Sequence, residues 1–212
     1  APNRLVSTPT PSAREEAFAQ VTDPLPGSKP YTNRRPINVP GRFRGKLLID
    51  FLDSLKTIHS RAAWINMCEQ KRITRWGKPI QSETILKGGD PLVTLMPKTI
   101  EPGVNRQIEV IFEDSHLIVL NKPAPLPMHP GGRFNRNTLS HFIKLAFPKE
   151  TIHPAHRLDA NTSGLVVCAK SKTMADQLRQ LFEARTVKKL YLAGLQAKPT
   201  TDHFECRIPI SS

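Results

Sequence analysis

An α+β fold is predicted by three features of this sequence. From residue 108 onward the apolar spacing switches repeatedly, in the order strands, loop, helix, loop, strand, helix, strand. Candidate helices carry apolar residues three and four apart, whereas the last candidate strand alternates from face to face. Glycine supplies no nucleotide-binding pattern: Gly131 and Gly132 lack both a preceding strand and the spacing of a phosphate loop. The 212 residues suffice for one sizeable core or two smaller domains, since a domain takes roughly 100 to 200 residues.

Residues 1–40 read as a proline-rich extension. Pro9, Pro11, Pro24, Pro26, Pro30, Pro36 and Pro40 are interspersed with small polar residues. With few large apolar side chains to offset ordering entropy, an arm outside the catalytic core is expected. Arg4, Ser7, Ser12 and Arg14 resemble an organellar transit sequence, but Glu15 and Glu16 interrupt it, and no secretory apolar region is present. A cytoplasmic protein is therefore expected, with an organellar one as the alternative. The first residue is Ala1, which implies a processed or trimmed amino end.

Residues 41–97 form the next unit. "LLIDFLDSL", residues 47–55, puts apolar residues on successive helical turns, with Asp50 and Asp53 left for the wet face. A second helix is expected over about 60–69, capped by Ser60. "KRITRWGKPI" follows with a turn at Gly77, then the turn "KGGD" and the strand "LVTLM". Two short helices and a small curled sheet result. Residues 98–107, with Pro102 and Gly103, read as a linker.

The third unit, residues 108–212, opens with two strands around the polar turn "EDSH". The prolines and paired glycines of "PAPLPMHPGGRF" make an irregular loop. Leu139, Phe142, Ile143 and Ala146 give a helix that Pro148 stops. "LVVCAK" is a strand, and Met174, Leu178, Leu181 and Phe182 share one side of the next helix. "KKLYLAGL" is a final strand, with Lys189 and Tyr191 on one face and Leu190 and Leu192 on the other.

Charge points to a polyanionic partner. Lys plus Arg is 31 against 18 for Asp plus Glu, a formal net charge of +13. Basic residues exceed acidic ones by eleven to six in residues 41–102 and by fifteen to nine in residues 103–212, so both units can touch one extended nucleic acid. Apolar runs such as "LIVL" are far too short to span a membrane. Cys68, Cys168 and Cys206 are too few and too widely spaced for a disulfide framework or a zinc knuckle.

Against that charge, "HRLDANTSG", residues 156–164, places a carboxylate at Asp159. Arg157 and Asp159 lie two apart, so in an extended loop both can face a cleft while Leu158 enters the core. Asp159 is ionised at neutral pH, which suits a nucleophile better than a general acid. Arg157 could fill the space left by an extruded nucleotide, and Tyr191 offers a stacking face. A structural Arg157–Asp159 salt bridge is the alternative, and His129 and His156 can be ordinary loop histidines. His153 and His156 have a spacing that could ligate a metal, but no carboxylate or thiol in register completes a site, so no metal is expected.

Residues 41–97 resemble the S4 RNA-binding domain, whose helix pair starts with Ser-Arg and is followed by an Asn-Gly turn and then Gly-Asp. Here these positions are Ser60 and Arg61, Trp76 and Gly77, and Gly89 and Asp90. The Trp76–Gly77 turn departs from Asn-Gly, and the glycine usual before the turn is missing from "EQKRI". From about Ile108 to Leu195 the chain resembles the RluA-like pseudouridine synthases, through "IFEDSHLIVLNKPAPLPMHPGG", "HRLDANTSGLVVCAKS" and "LFEARTVKKLYLA".

That resemblance implies a mixed, mainly antiparallel sheet with flanking helices and an enzyme that isomerises a uridine in ribosomal or transfer RNA to pseudouridine, without cofactor or metal. It implies Asp159 as the catalytic carboxylate, Arg157 as the residue displacing the nucleotide and Tyr191 against the uracil. Arg61, Lys71, Arg72, Arg75, His129, Asn161, Thr162 and Lys189 are the expected substrate-binding residues. Ala160 stands where Arg is common and Pro125 where Gly is common. Family members generally continue further, so a C-terminal continuation of the polypeptide is expected to complete the site, and a monomer is expected. A non-enzymatic RNA-binding or assembly protein is the main alternative, and a carboxylate-dependent hydrolase a third reading.

Overall fold

The computed structural model describes residues 12–55, 57–198, 201, 203, 205 and 207. Its first element is helix α1 (Ala13–Thr22), which Ser12 begins with a capping box: the Ser12 hydroxyl accepts from the Glu15 amide, and the Glu15 carboxylate accepts from the Ser12 amide. Such a cap stabilises a helix by about 1 kcal/mol. Strand β1 (Tyr31–Asn38) follows, then a short 3-10 turn (Gly41–Phe43), α2 (Leu48–Ser54), α3 (Arg61–Glu69), β2 (Ile73–Arg75), β3 (Lys78–Pro79) and β4 (Pro91–Thr99). These four strands form one antiparallel sheet in the order β1-β4-β2-β3. Leu48, Phe51 and Leu52 of α2 and Trp64, Met67 and Cys68 of α3 are buried in the core beside it. Ser60 caps α3 as its sequence position predicts.

A second antiparallel sheet has the order β5-β6-β8-β7, from β5 (Glu109–Glu113), β6 (Leu117–Lys122), β7 (His153–Pro154) and β8 (Gly164–Ala169). Its core joins Ile118 and Leu120 of β6, Val166 and Cys168 of β8, and Leu139, Phe142 and Ile143 of helix α4 (Leu139–Ala146). Helix α5 (Lys172–Glu183) starts at a Ser171 cap after β8. The α+β architecture with antiparallel sheets and flanking helices is thus the observed one, and no helix among the described residues is long and apolar enough to cross a membrane.

Three expectations need correction. The described part of the proline-rich extension is not an arm: Phe18 is 1% exposed within the second core and packs edge-on against Phe147 at 5.2 Å. Arg14, placed by sequence in a transit-like pattern, instead pairs with Glu113 at 2.6 Å and Glu150 at 2.5 Å. The Glu15 carboxylate also accepts from the Val110 amide at the edge of β5. Proline density hid these roles because one deep aromatic and a few long-range polar bonds, rather than a periodic apolar stripe, tie this segment down. Arg4, Ser7, Pro9, Pro11 and Cys206 lie outside the described residues.

The segment read as a linker is the second correction. Glu101 within it is 4% exposed and accepts from the amides of Asn135, Arg136 and Asn137 and from the Tyr31 hydroxyl. Third, residues 188–195 form no strand. No neighbouring edge among the described residues pairs with them, and Leu190 and Leu192 are exposed rather than packed.

The hairpin between β2 and β3 turns through Trp76 at φ 49° and Gly77 at φ 77°. A left-handed conformation costs a bulky L-residue roughly 1 kcal/mol, whereas glycine adopts it freely. Arg75, at the base of this turn, reaches the Asp90 carboxylate at 3.0 Å, and the Asp90 side chain is only 2% exposed.

Candidate active site

Residues 155–163 connect β7 to β8, and the order of burial along them sets what they present. Leu158 is buried in the second core, while Arg157 before it and Asp159 after it are exposed. Alternation in an extended segment produces this placement: once Leu158 enters the core, its neighbours face out. Beyond Asp159 the chain turns, with the Thr162 amide donating to the Asp159 carbonyl at 3.1 Å. Among the described residues Arg157 and Asp159 form no ion pair with one another, so the local salt bridge considered from sequence is not formed.

The loop is pinned on both sides of its exposed carboxylate. After it, the Ala160 carbonyl accepts from the Leu126 amide at 2.9 Å and from the Lys122 ammonium at 3.4 Å. Before it, the Val167 amide donates to Nε2 of His156 at 3.1 Å, and the His156 ring stacks on Phe182 at 4.6 Å. An Nε2 that accepts carries no proton in that arrangement, so His156 is a neutral structural pin. Burial, chiefly, lowers its pKa, with the charge of Lys189 acting in the same direction.

Lys122 was not among the residues singled out from sequence. Strand β6 alternates so that Ile118, Leu120 and Lys122 all face inward, and a lysine on the apolar face of a strand was the available signal. Fully buried, its ammonium donates to the carbonyls of Leu126 at 2.8 Å and Pro123 at 3.0 Å as well as to Ala160. Burial lowers its pKa, and the negative charge of Asp159 partly opposes that shift. A buried cation thus sits behind the exposed carboxylate. His129 approaches from the preceding loop, its pKa lowered by desolvation and by the positive charge of Arg157.

Beside the loop lies a groove of about 680 Å³ that brings together four of the expected substrate-binding or stacking residues: Asn161, Thr162, Lys189 and Tyr191. Tyr191 is 58% exposed, and Phe182 gives the groove an aromatic wall over which the Lys189 ammonium lies at 5.9 Å. Arg157 and Asp159 belong to the same loop as Asn161 and Thr162 but do not line this groove.

The four basic residues expected to bind substrate from residues 41–97 lie in the α3–β2 region, and most have partners within the fold. Arg61 pairs with Asp50 at 2.8 Å and Asp53 at 3.6 Å. Arg72 donates to the Leu95 carbonyl at 2.9 Å, and Arg75 is held by Asp90. Lys71 is exposed and forms no ion pair among the described residues.

Comparison with known proteins agrees with the third unit's loop and motifs. The sequence profile of RNA pseudouridylate synthase matches residues 116–212. The tRNA pseudouridine(31) synthase of Saccharomyces cerevisiae is 33% identical over 192 residues, covering 80% of this chain and 47% of that protein. The uncharacterized RNA pseudouridine synthase slr1592 of Synechocystis is 32% identical over 160 residues, with 75% of this chain and 55% of that protein covered. The mitochondrial tRNA pseudouridine(32) synthase of Saccharomyces cerevisiae is 30% identical over 175 residues, covering 82% and 37% respectively. The chain therefore spans between 37% and 55% of the length of these relatives. Its sequence motifs, the antiparallel sheet that presents Asp159 and these similarities converge on one assignment: residues 116–212 belong to the RNA pseudouridylate synthase family.

Proposed function

We propose that the protein isomerises a uridine within structured RNA, ribosomal or transfer, to pseudouridine, with Asp159 as the working carboxylate. The observation that carries this reading is the β7–β8 loop, which leaves Asp159 exposed and unpaired by Arg157 while Leu158 and Ala160 on either side of it are fixed in the fold. A carboxylate held in place by its neighbours and backed by the buried Lys122 charge suits attack on a sugar or stabilisation of a reacting centre.

The chemistry balances without oxidant or reductant. The bond from ribose C1′ to uracil N1 breaks, a bond from C1′ to C5 forms, C5 releases its proton and N1 gains one. Asp159 serves either by adding to C1′ or by drawing a proton from the sugar to give a glycal. Arg157 occupies the place of the displaced nucleotide, and Tyr191 packs against the uracil, with Lys189, Asn161, Thr162 and His129 contacting the RNA around it. Lys71, Arg72, Arg75 and Arg61 extend the contact over residues 41–97, which we read as S4-like. We read the protein as a monomer acting on RNA in the cytoplasm, with an organelle as the alternative.

Asp159→Asn tests the reading because it keeps the side chain's shape and removes its charge. Cells lacking the protein are complemented with wild type or D159N, and pseudouridine is mapped across total RNA by a chemical readout coupled to sequencing. Wild type should restore specific sites that D159N leaves as uridine, while D159N still binds RNA. Restoration by D159N would remove Asp159 from the mechanism. RNA binding by wild type with every uridine unchanged would replace the enzyme by an RNA-binding protein.

A further inference from the structure

We propose that Trp76 is a stacking platform for an unpaired RNA base, built on the hairpin of the first sheet; this rests on the reading of RNA as substrate and adds a second contact on a different sheet from the Asp159 loop. Trp76 stands at a turn position that disfavours a bulky side chain, at φ 49°. Its ring gains little burial in return, for it is 65% exposed, whereas the chain's other tryptophan, Trp64, is 3% exposed in the core. An arrangement that costs folding energy and contributes little to packing points to a use outside the chain.

The ring's surroundings say what that use is. The guanidinium of Arg75 lies over it at 5.2 Å, and Arg75 is itself anchored by the buried Asp90, so one face of the indole is fixed by a cation. Lys78, directly across the hairpin from Arg75, is exposed, as is Lys71 just before β2. An exposed aromatic face among cations is the recurring chemistry of single-stranded nucleic-acid contacts: the base stacks on the ring while the cations meet the phosphates. A duplex, whose bases are already stacked, offers that ring nothing to cover.

The test uses the whole chain and a short single-stranded oligouridylate, with an RNA duplex and inorganic polyphosphate as comparison probes. Asn tolerates the left-handed conformation, so Trp76→Asn should fold with unchanged or higher thermal stability. Oligouridylate should quench the tryptophan emission of wild type and not of W76N, and should bind W76N on the order of tenfold more weakly. Trp76→Phe, which keeps a stacking face, should recover most of the affinity. Polyphosphate should bind without the quench, and the duplex should bind wild type and W76N alike. Equal affinity of wild type and W76N for oligouridylate, or equal quenching by polyphosphate, would overturn the stacking role and leave the RNA reading intact. Failure of wild type to bind any of the RNA probes would overturn both.

Discussion

The ammonium of Lys122 reaches the carbonyl oxygen of Ala160, the residue that follows Asp159, and so ties strand β6 to the loop that carries the carboxylate. The same ammonium holds the Pro123 and Leu126 carbonyls. Lys122→Met fills the space and removes all three donors. The loss of charged hydrogen bonds is partly offset by relief from burying a charge, so the expected destabilisation is about 2 kcal/mol. Denaturant unfolding of the variant measures it; a midpoint equal to that of wild type would show that the ammonium does not secure the loop.

Glu101 supplies a prediction that depends on pH. Burial alone would raise its pKa, but hydrogen bonds from Tyr31 and from the amides of Asn135, Asn137 and Arg136 outweigh burial and hold it below the ordinary 4.5. A carboxyl whose folded-state pKa is depressed stabilises the fold fully above its unfolded value, and that contribution is lost as the pH falls through the folded value. Glu101→Gln should therefore cost about 2 kcal/mol at neutral pH, and the gap to wild type should narrow in acid, as the pH falls through the depressed folded-state value. Unfolding curves at neutral and acid pH decide the matter, since a gap that persists in acid would mean that the charge is not what the amides bind.

Arg75 and Lys71 should separate folding from binding. Arg75→Ala leaves the buried Asp90 carboxylate without its cation and is expected to cost about 3 kcal/mol. Exposed Lys71→Ala should stay within about 0.5 kcal/mol of wild type in stability. If Lys71 meets a phosphate, its loss should flatten the salt dependence of RNA affinity by about one unit of slope. Thermal unfolding beside salt-titrated binding reads both; an unchanged slope would return Lys71 to ordinary surface solvation.

Sequence pattern revealed those parts of the fold that rest on local periodicity. Helix α4 shows Leu139, Phe142 and Ile143 at helical spacing, and Leu158 between Arg157 and Asp159 marks an extended loop with one residue inward. What pattern could not show are bonds between distant positions. Arg14 and Glu150 are 136 residues apart, and Glu101 meets amides 34 to 36 residues further on, so neither segment looks structural by itself. Alternation in residues 188–195 misled for the converse reason: a strand pattern becomes a strand only where an edge receives its hydrogen bonds, and none does among the described residues.

The bonds around Glu101 also bear on protein engineering. Tyr31 opens β1, the edge strand of the first sheet, and residues 135–137 lead into helix α4, so a single carboxylate fastens the two sheets' chain segments together. Swapping residues 41–97 alone for another recognition module would cut across that fastening, because β1 pairs with β4 and also supplies Tyr31. A transplant that carries residues 12–107 as one cassette, and keeps Asn135, Arg136 and Asn137 in the recipient, would preserve the joint.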